Sequence, residues 1–399
     1  MRLQGAFSVP LFRAFWAAAL VSNLGTLMHA TAAAWLMTSL TDSPLLVGLV
    51  QTAATAPALL VGLLGGVLAD RLDRRRFLMV TQGAMVVSTL ALGGLTLAGM
   101  VTAWSLLALT FLLGTAMALN LPSWQALVQD VVSRDHVASA VSWNSISFNL
   151  ARAVGPAVGG WMTSAFGAGL VFLVNSGSYL GTVGVLACWR RPAPERKPTQ
   201  AMGKALAEGA RFVWEERRVR SAMARSSMFV LTASSVGALL PLLAKDALGL
   251  TALGYGTLLT MYGAGSVAGA LALPRVRQWI GVERMVGWAN GLYAVALVGL
   301  AMAPSELTAA VALTAAGVCW TSVLVNLNVT VQMAAPEAVR GRAMSFYLLT
   351  FQGAFAVGGL VTGALASAIG LRAALGVCAG GMLIGWAVRG AFPLGDLDD

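Results

Sequence analysis

The sequence predicts an all-α membrane protein with twelve transmembrane helices in two six-helix pseudo-symmetric halves. Three observations lead to this prediction: the composition, the length of the apolar segments and an internal repeat. Of the 399 residues, 58% are hydrophobic and only 11% are charged, which is far more apolar than a water-soluble domain of this size. This composition excludes a soluble enzyme and a nucleic-acid-binding protein.

The apolar segments are long enough to cross a bilayer, because a helix needs roughly 20 residues to span a hydrocarbon core about 30 Å thick. Charges, prolines and glycine pairs mark where the segments end. The predicted spans lie at roughly 12–38, 44–69, 77–99, 102–127, 137–165, 168–189, 221–244, 251–273, 284–303, 307–333, 342–369 and 371–391. Twelve crossings place both termini on the same side of the membrane.

The distribution of basic residues predicts the orientation. All 26 Lys and Arg residues except Lys245, Arg372 and Arg152 fall on the side that carries the termini. Basic residues concentrate in cytoplasmic loops, so we expect a multi-pass protein of the cytoplasmic (inner) membrane with both termini in the cytoplasm. The formal net charge of +10 therefore reports topology and does not indicate nucleic acid as a partner.

An internal repeat predicts two related halves. Residues 128–167 align with residues 331–370 at a constant offset of 203, and Gly48 matches Gly256 at an offset of 208. Repeats that share one orientation are typical of transporters whose halves are related by an axis along the membrane normal. The substrate path is then expected between the halves.

The longest polar stretch of the chain separates the two sets of six spans. We predict an N-terminal half at 1–189, a cytoplasmic amphipathic linker at 190–220 and a C-terminal half at 221–399. The arginines at the end of the linker and its apolar face favour a position at the inner leaflet. The alternative is that the linker is a solvated tether and does not lie on the membrane.

The turn between the second and third predicted spans places a carboxylate among guanidinium groups. Its motif residues are Gly66, Asp70, Arg71, Arg74 and Arg75. The turn resembles the loop signature of the major facilitator superfamily, although Asp73 replaces its second glycine, and with the spans and the linker the resemblance covers the whole chain. It implies a conformational switch in which Asp70 bonds to Arg340 or Arg342 at the start of the eleventh span. A simple positive-inside charge cluster is the alternative.

The fifth predicted span contains a run of small residues around a proline. The run comprises Gly155, Pro156, Gly159 and Gly160. Proline removes a backbone donor, and the glycines permit close contact between helices. The run resembles the antiporter motif of exporting members of the superfamily and therefore implies export. Close helix packing without a role in transport is the alternative.

Arg152 lies deep in the fifth predicted span, about 15 residues or roughly 22 Å from its start. No acidic residue lies in the interior of any predicted span. A charge at this depth costs at least about 3 kcal/mol on insertion scales, so the guanidinium should face a cavity or a partner. Two partners are open: an anionic or oxygen-rich substrate, or backbone carbonyl oxygens.

Other polar residues inside the spans are candidates for lining a central substrate cavity, because lipid does not tolerate unpaired polar groups. These candidates are Asn149, Asn23, His29, Gln51, Asn120, Asn326 and Gln352. Any one of them could instead be a hydrogen-bonded contact between helices.

His29 is the first candidate for proton coupling, because histidine changes charge near physiological pH and lies within the first predicted span. Asp42, at the outer end of that span, and Asp246, at the outer end of the seventh, rank second. A packing role for His29 is the alternative. Thr110 stands where many proton-coupled members of the superfamily carry an arginine, which argues against coupling through that position.

The sequence therefore predicts a secondary active transporter that exports small amphipathic organic molecules by alternating access, with proton antiport. Residues 149–156 and 336–342 resemble the branch of the superfamily that contains enterobactin and macrolide exporters, which implies a drug or siderophore-like substrate. An importer or uniporter of a small organic solute is the alternative.

Two other functional classes fit the sequence less well. A membrane-embedded enzyme needs a cluster of catalytic residues, and a receptor does not explain the duplicated half. The expected partners are the transported molecule, protons and membrane lipids, with no metal or other cofactor. A monomer is expected.

Overall fold

The computed structural model describes residues 4–189 and 202–394, without the side chains of residues 63, 66, 67, 69–71, 129, 134, 202–206 and 338. This part of the chain is helical and contains no strand. The helices are α1 (Gln4–Phe7), α2 (Pro10–Leu40), α3 (Pro44–Arg71), α4 (Arg74–Leu97), α5 (Ala103–Val131), α6 (Val137–Phe166), α7 (Ala168–Cys188), α8 (Met202–Glu215), α9 (Arg217–Leu242), α10 (Ala252–Ala301), α11 (Glu306–Ala334), α12 (Glu337–Ile369) and α13 (Leu371–Ala387).

Local sequence signals explain where several helices begin. Pro44 opens α3 at a position where its missing N–H costs no hydrogen bond. Asp73 caps α4, since its side chain accepts a hydrogen bond from the backbone N–H of Arg76 at 2.8 Å. Thr102 and Ser105 form a reciprocal capping box at the start of α5. Short turns with the appropriate capping residues therefore separate the long helices.

Ten helices of the described chain are long and apolar enough to cross a membrane. One of them, α10, is 50 residues long and leaves helical geometry at Gly281, and α6, with 30 residues, is not among the ten. The all-helical membrane fold is confirmed, whereas the number of twelve crossings stays a prediction.

The break within α10 lies inside the predicted gap at 274–283, but not at its proline. The predicted gap between the eighth and ninth spans begins near Pro274, but the helix continues past this proline and breaks at Gly281 (φ 73°, ψ 167°). Proline kinks a helix by removing one hydrogen bond. Glycine, in contrast, adopts a positive φ without steric cost, so the chain reverses its direction at Gly281.

The predicted repeat coincides with two identical turns. Gly167 joins α6 to α7 with φ 82° and ψ 160°, and Gly370 joins α12 to α13 with φ 86° and ψ 160°. These residues correspond at the offset of 203 found in the sequence. Because only glycine adopts this conformation readily, each turn reverses the chain with a single residue between helices.

Helices α2–α7 pack against one another, as do α9–α13, and the pairs α3–α12 and α6–α10 provide the main contacts between the two groups. In each pair, glycine residues allow the two helices to approach closely. A Cβ on Gly256 would lie 3.0 Å from the Cα of Gly160, and a Cβ on Gly48 would lie 3.1 Å from the Cα of Gly363. Gly160 and Gly363 correspond at offset 203, and Gly48 and Gly256 at offset 208, so the two contacts are pseudo-symmetric.

The two ends of the bundle can be named by their turns. We call the end with the α2–α3, α6–α7 and α12–α13 turns the distal end, and the end with the α3–α4, α5–α6 and α11–α12 turns the proximal end. The groups meet at the distal end, where the backbone N–H of Leu45 donates to Ser367 Oγ at 3.1 Å and Lys245 donates to the carbonyl of Thr38. The charge distribution predicts that the proximal end is cytoplasmic.

Each group of helices has its own apolar core. Met37, Leu106 and Phe172 are fully buried among α2–α7, and Phe229 and Tyr293 are fully buried among α9–α13. The two interfaces between the groups can therefore change while each core stays intact.

Of the predicted linker at 190–220, residues 190–201 lie outside the described part, Met202–Glu215 form α8, and the linker arginines Arg217, Arg218 and Arg220 already belong to α9. Helix α8 lies against α9 and α12. Glu208 pairs with Arg342 at the start of α12, with 2.6 Å between Oε2 and Nη1. Phe212 and Val213 pack on the core of that group, whereas Trp214 is 75% exposed. One face of the helix thus docks on the C-terminal group and the other is open, and its position at the inner leaflet stays a prediction.

Candidate functional site

Arg152 lies at the contact between α6 and α10. Its backbone carbonyl is 3.1 Å from the position that a Cβ would take on Gly263 of α10, and its side chain is half-buried. Within the described chain, no hydrogen bond or ion pair joins the guanidinium to another residue. The group lies within electrostatic range of the Tyr262 hydroxyl. The site therefore holds an unneutralised cation at the boundary between the groups.

An aromatic cluster on α10, α11 and α12 adjoins Tyr262. The ring centroids of Tyr262 and Trp320 are 6.3 Å apart, and those of Trp320 and Phe355 are 5.9 Å apart. Phe351 stacks on Phe355 at 6.0 Å and 19°. Trp320 is buried in the core of this group, whereas Phe351 and Phe355 are half-buried and leave apolar surface open.

Gln51 lies at the α3–α12 contact, and Gln352 belongs to α12. The amide of Gln51 donates to the carbonyl of Phe355 at 3.3 Å, and on the next residue the Thr52 hydroxyl donates to the carbonyl of Ala356 at 2.7 Å. Gln352 is half-buried within α12. The structure thus brings Gln51 to the boundary between the groups, whereas a boundary position for Gln352 stays a prediction.

A polar pocket of about 140 Å³ lies between α2, α4, α5 and α7. Two predicted cavity residues, Asn23 and Asn120, line it together with Gln82, Trp124 and Tyr179. The carbonyl oxygen of Gln82 is buried and has no hydrogen-bond partner within the described chain. The pocket therefore carries an acceptor that a donor on a bound molecule or a water molecule can satisfy.

Asn23 connects this pocket to α6. Its amide donates to Ser147 Oγ at 3.3 Å, and Ser147 precedes Arg152 by five residues, or about 7.5 Å along the helix. Asn149 is exposed and donates to the carbonyl of Ser145 at 2.9 Å. The polar pocket therefore contacts α6 at Ser147, about one and a half helical turns before Arg152.

The small residues of the fifth predicted span pack on two neighbouring helices. A Cβ on Gly155 would lie 2.8 Å from Leu27 Cβ, and a Cβ on Gly159 would lie 2.7 Å from Met28 Cα, both on α2. Gly160 faces α10 instead, and the carbonyl of Pro156 also meets α10 at Gly256. This run lets α6 approach α2 and α10 at once, next to Arg152.

Arginines of the predicted switch loop hold the proximal end of the N-terminal group. Arg74 Nη1 pairs with Asp130 Oδ2 at 2.6 Å, and Arg75 donates to the carbonyls of Leu186 and Ala187 at 2.8 and 2.6 Å. These contacts tie the start of α4 to the ends of α5 and α7.

The predicted Asp70 switch lies partly outside the described residues. The side chains of Gly66, Asp70 and Arg71 are not among them. Arg340 donates to the carbonyl of Ala335 at 3.1 Å, and Arg342 pairs with Glu208. The proposed partnership with Asp70 stays a prediction.

The remaining predicted residues lie apart from this boundary. Asn326 is fully buried and donates to the carbonyl of Ser322 at 2.7 Å. His29 is 3% exposed, its ring centroid is 4.6 Å from that of Phe172, and neither of its ring nitrogens has a hydrogen-bond partner within the described chain. Asp42 is exposed in the α2–α3 turn. The structure does not bring these three together.

Several site residues were not predicted from the sequence. Gln82 is a polar residue inside a predicted span, which is the same signal that identified Asn120. Phe351 and Phe355 flank Gln352 with helical spacing, but aromatic residues are common in membrane helices and the spacing alone does not separate a cavity face from a lipid face. Tyr262 carries no local signal.

Two helical groups are joined by pseudo-symmetric contacts, with Arg152 and Gln51 at their boundary, and a family model of the major facilitator superfamily matches residues 4–399. The chain is therefore a multi-pass transporter of that superfamily. The chain resembles the nucleoside transporter NupG (TM-score 0.78, 13% identity, 96% of this chain and 99% of that one). It also resembles a bacterial homologue of the human lysosomal transporter Spinster in an inward-facing, occupied conformation (TM-score 0.77, 14% identity, 96% and 97%). At these identities the similarity shows the fold.

Within this superfamily, the chain belongs to the family described as transmembrane secretion effector, which it matches over residues 4–399. It is 25% identical over 292 residues to the staphyloferrin A transporter of Staphylococcus aureus, covering 72% of each chain. It is 26% identical to the multidrug efflux pump Tap of Mycolicibacterium fortuitum (89% of each) and to the enterobactin exporter EntS of Shigella boydii (94% of this chain and 90% of the relative). The protein is a small-molecule transporter and not an enzyme.

Proposed function

We propose that this protein exports small amphipathic organic molecules of the drug or siderophore type across the cytoplasmic membrane, by alternating access and in exchange for protons. The names of two relatives, an enterobactin exporter and a multidrug efflux pump, support export, and a third, a staphyloferrin A transporter, supports a siderophore-like substrate. The antiporter-like run at Gly155–Gly160 supports the same direction.

The half-buried Arg152 guanidinium, without a partner in the described chain, is the observation that carries the substrate assignment. A buried cation left unpaired is costly, so a substrate that supplies oxygen acceptors gains binding free energy there. Carboxylate, phenolate, catecholate and closely spaced carbonyl groups meet a guanidinium fork with two acceptors. Substrates that carry only positive charge are expected to bind poorly.

The surroundings of Arg152 supply the other half of an amphipathic site. Phe351 and Phe355 present half-buried apolar rings on the C-terminal group, and the polar pocket at Asn23 and Asn120 lies on the N-terminal group. A molecule with an aromatic part and several oxygens matches both surfaces.

The distal contacts support a mechanism in which the two groups rock against each other. Gly160 meets Gly256, and Gly48 meets Gly363, with backbone against backbone at the distal end. Closed distal contacts, with a proximal end predicted to be cytoplasmic, correspond to an inward-facing state. Separating these glycine contacts while closing the proximal end would present the site to the other side.

Direction of transport is tested with everted membrane vesicles supplied with a proton gradient and a panel of radiolabelled anionic, neutral and cationic analogues. Accumulation of oxygen-rich analogues that stops when the gradient is dissipated is expected. Accumulation only in right-side-out vesicles would identify an importer, and transport indifferent to the gradient would identify a uniporter.

The role of Arg152 is tested with Arg152→Lys and Arg152→Gln. Lysine keeps the charge but loses the planar fork, so we expect Arg152→Lys to weaken binding of oxygen-rich anions about tenfold. This is about 1.4 kcal/mol, slightly less than the roughly 1.5–3 kcal/mol of a complete charge-assisted hydrogen bond. Arg152→Gln should weaken it further and leave neutral analogues nearly unchanged. Binding to purified, folded protein is the measurement.

The matched control is Arg211→Gln, which removes an arginine whose partner is the neighbouring Glu215 on the exposed face of α8. This variant should bind all analogues as the wild type does. Equal losses for anionic, neutral and cationic analogues in the Arg152 variants would show that the arginine is architectural.

A further inference from the structure

An apolar groove of about 610 Å³ lies on the flank of the C-terminal group, between the two parts of α10 and helices α11 and α13. This volume falls within the range of about 300–1,000 Å³ that is usual for sites of small organic ligands. Val276 and Ile280 line it before the α10 break, and Trp288 and Leu292 line it after the break. Trp288 is 73% exposed, so the groove opens to the outside of the bundle and not to the Arg152 site.

The groove has the length of one membrane leaflet. Its lining on the second part of α10 runs from Met285 to Val295, a rise of about 15 Å. This is half of a hydrocarbon core roughly 30 Å thick. Met285 lies just after the Gly281 break at the proximal end, so the groove extends from the proximal surface to about the middle of the bilayer.

Basic groups surround the proximal end of the groove. Arg389 places its guanidinium carbon 4.2 Å from the ring centroid of Trp386, which lines the groove, and its Cδ lies 3.7 Å from the position of a Cβ on Gly287. Arg284 is exposed one turn before Trp288, and Arg277 precedes Ile280 by three residues. Within the described chain, none of these three arginines forms an ion pair.

We propose that this groove binds one anionic phospholipid, with an acyl chain in the apolar part and the headgroup phosphate at Arg389. An apolar channel one leaflet deep that ends in several guanidinium groups is complementary to a phospholipid in both shape and charge. Basic pockets between membrane helices at the cytoplasmic surface bind acidic headgroups in this way. Trp386 and Trp288 fit the aromatic side chains that lie at headgroup level.

Native mass spectrometry of the full-length protein in detergent tests the proposal, with phosphatidylglycerol and phosphatidylcholine of identical acyl chains as probes. Wild-type protein should retain one phosphatidylglycerol at concentrations that leave phosphatidylcholine unbound. Arg389→Gln should lower phosphatidylglycerol affinity about fivefold, the effect expected for one basic group at a lipid surface. Gly291→Leu should block both lipids, because a Cβ on Gly291 points into open space within the groove.

Two matched variants control for general effects. Arg372→Gln removes an arginine at the distal end of α13, the helix that Arg389 follows at its proximal end, and Gly177→Leu adds the same side chain at an open position on α7. Both should retain phosphatidylglycerol as the wild type does. Equal retention of the two lipids by the wild type, or a loss in Arg372→Gln as large as in Arg389→Gln, would overturn the proposal. The assay uses no transported substrate, so its outcome is independent of the proposed export function.

Discussion

Single polar residues in the bilayer carry most of the functional information in this chain. Arg152 lacks a partner in the described residues and lies where the two groups meet. His29 is buried beside Phe172, and its two ring nitrogens lack hydrogen bonds in the same part of the chain. An unsatisfied buried polar group costs roughly 1–3 kcal/mol. We interpret His29 as retained for proton transfer rather than for stability.

Replacing His29 by Gln tests this interpretation. If His29 carries the exchanged proton, the pH optimum of transport in everted vesicles should shift or flatten, because glutamine keeps polarity and approximate size but cannot titrate. Initial rates across a pH series at constant membrane potential are the measurement.

His136→Gln is the matched control, since His136 is the only other histidine of the chain and lies in the α5–α6 turn beside Ser133. It should keep the wild-type profile. An unchanged pH profile in His29→Gln would show that His29 does not couple protons, and Asp42 or Asp246 would then be the candidates.

At the scale of helices, close glycine contacts decide which elements can separate. The α6–α10 and α3–α12 contacts bring backbone against backbone at the distal end. Such contacts are stabilised by backbone packing and contain no interdigitated side chains. This suits an interface that opens and closes repeatedly. The antiporter-like run of α6 has the same property toward both α2 and α10.

Gly160→Leu is expected to open the distal end. Its Cβ alone would lie 2.9 Å from Gly256 Cα, and overpacking of this kind costs about 1–3 kcal/mol. Spin labels at positions 42 and 372, in a variant without native cysteines, should report a longer distance, and transport should fall. Gly184→Leu, at an open position on α7, should leave both unchanged, and a wild-type distance in Gly160→Leu would contradict the role of this contact.

The α3–α4 turn contains two neighbouring carboxylates with different expected roles. Asp70→Asn removes the charge proposed to bond to the start of α12, so transport should fall about tenfold, in line with roughly 1.5–3 kcal/mol for a charge-assisted hydrogen bond. Transport rate at equal protein level in the membrane is the measurement.

Asp73→Asn is the control within the same turn, because asparagine caps a helix as well as aspartate does and can still accept from the N–H of Arg76. It should transport normally. Wild-type transport by Asp70→Asn would contradict the switch.

At the scale of the whole molecule, orientation relates the structure to the direction of transport. The arginines of the proximal end predict that this end is cytoplasmic. Both the inward-facing interpretation and the leaflet of the proposed lipid site depend on this assignment.

Orientation is tested with single cysteines at two exposed turn positions, in a variant without native cysteines. Ser133→Cys, at the proximal end, should react with a membrane-impermeant maleimide only in everted vesicles, and Asp42→Cys, at the distal end, only in right-side-out vesicles. Each variant controls for the other. The reverse pattern would place the termini outside.

Much of the fold could be predicted because the bilayer imposes it. Long apolar segments must be helical in lipid. The repeat at offset 203 aligns Gly167 with Gly370, and these two residues form the same turn. The resemblance to the major facilitator superfamily, based on the Asp70 turn and the run at Gly155, is confirmed by the family match.

The sequence by itself therefore determined the helical membrane class, the repeat, the family and the position of Arg152 in the middle of a long helix. Only the tertiary structure decided that α10 breaks at Gly281, that Glu208 meets Arg342 and Asp130 meets Arg74, and that Tyr262 lies near Arg152. The physical reason is that lipid and protein interior are similarly apolar, so hydropathy does not show which face of a helix turns inward. Partners far apart in the chain are selected by packing, which local sequence does not encode.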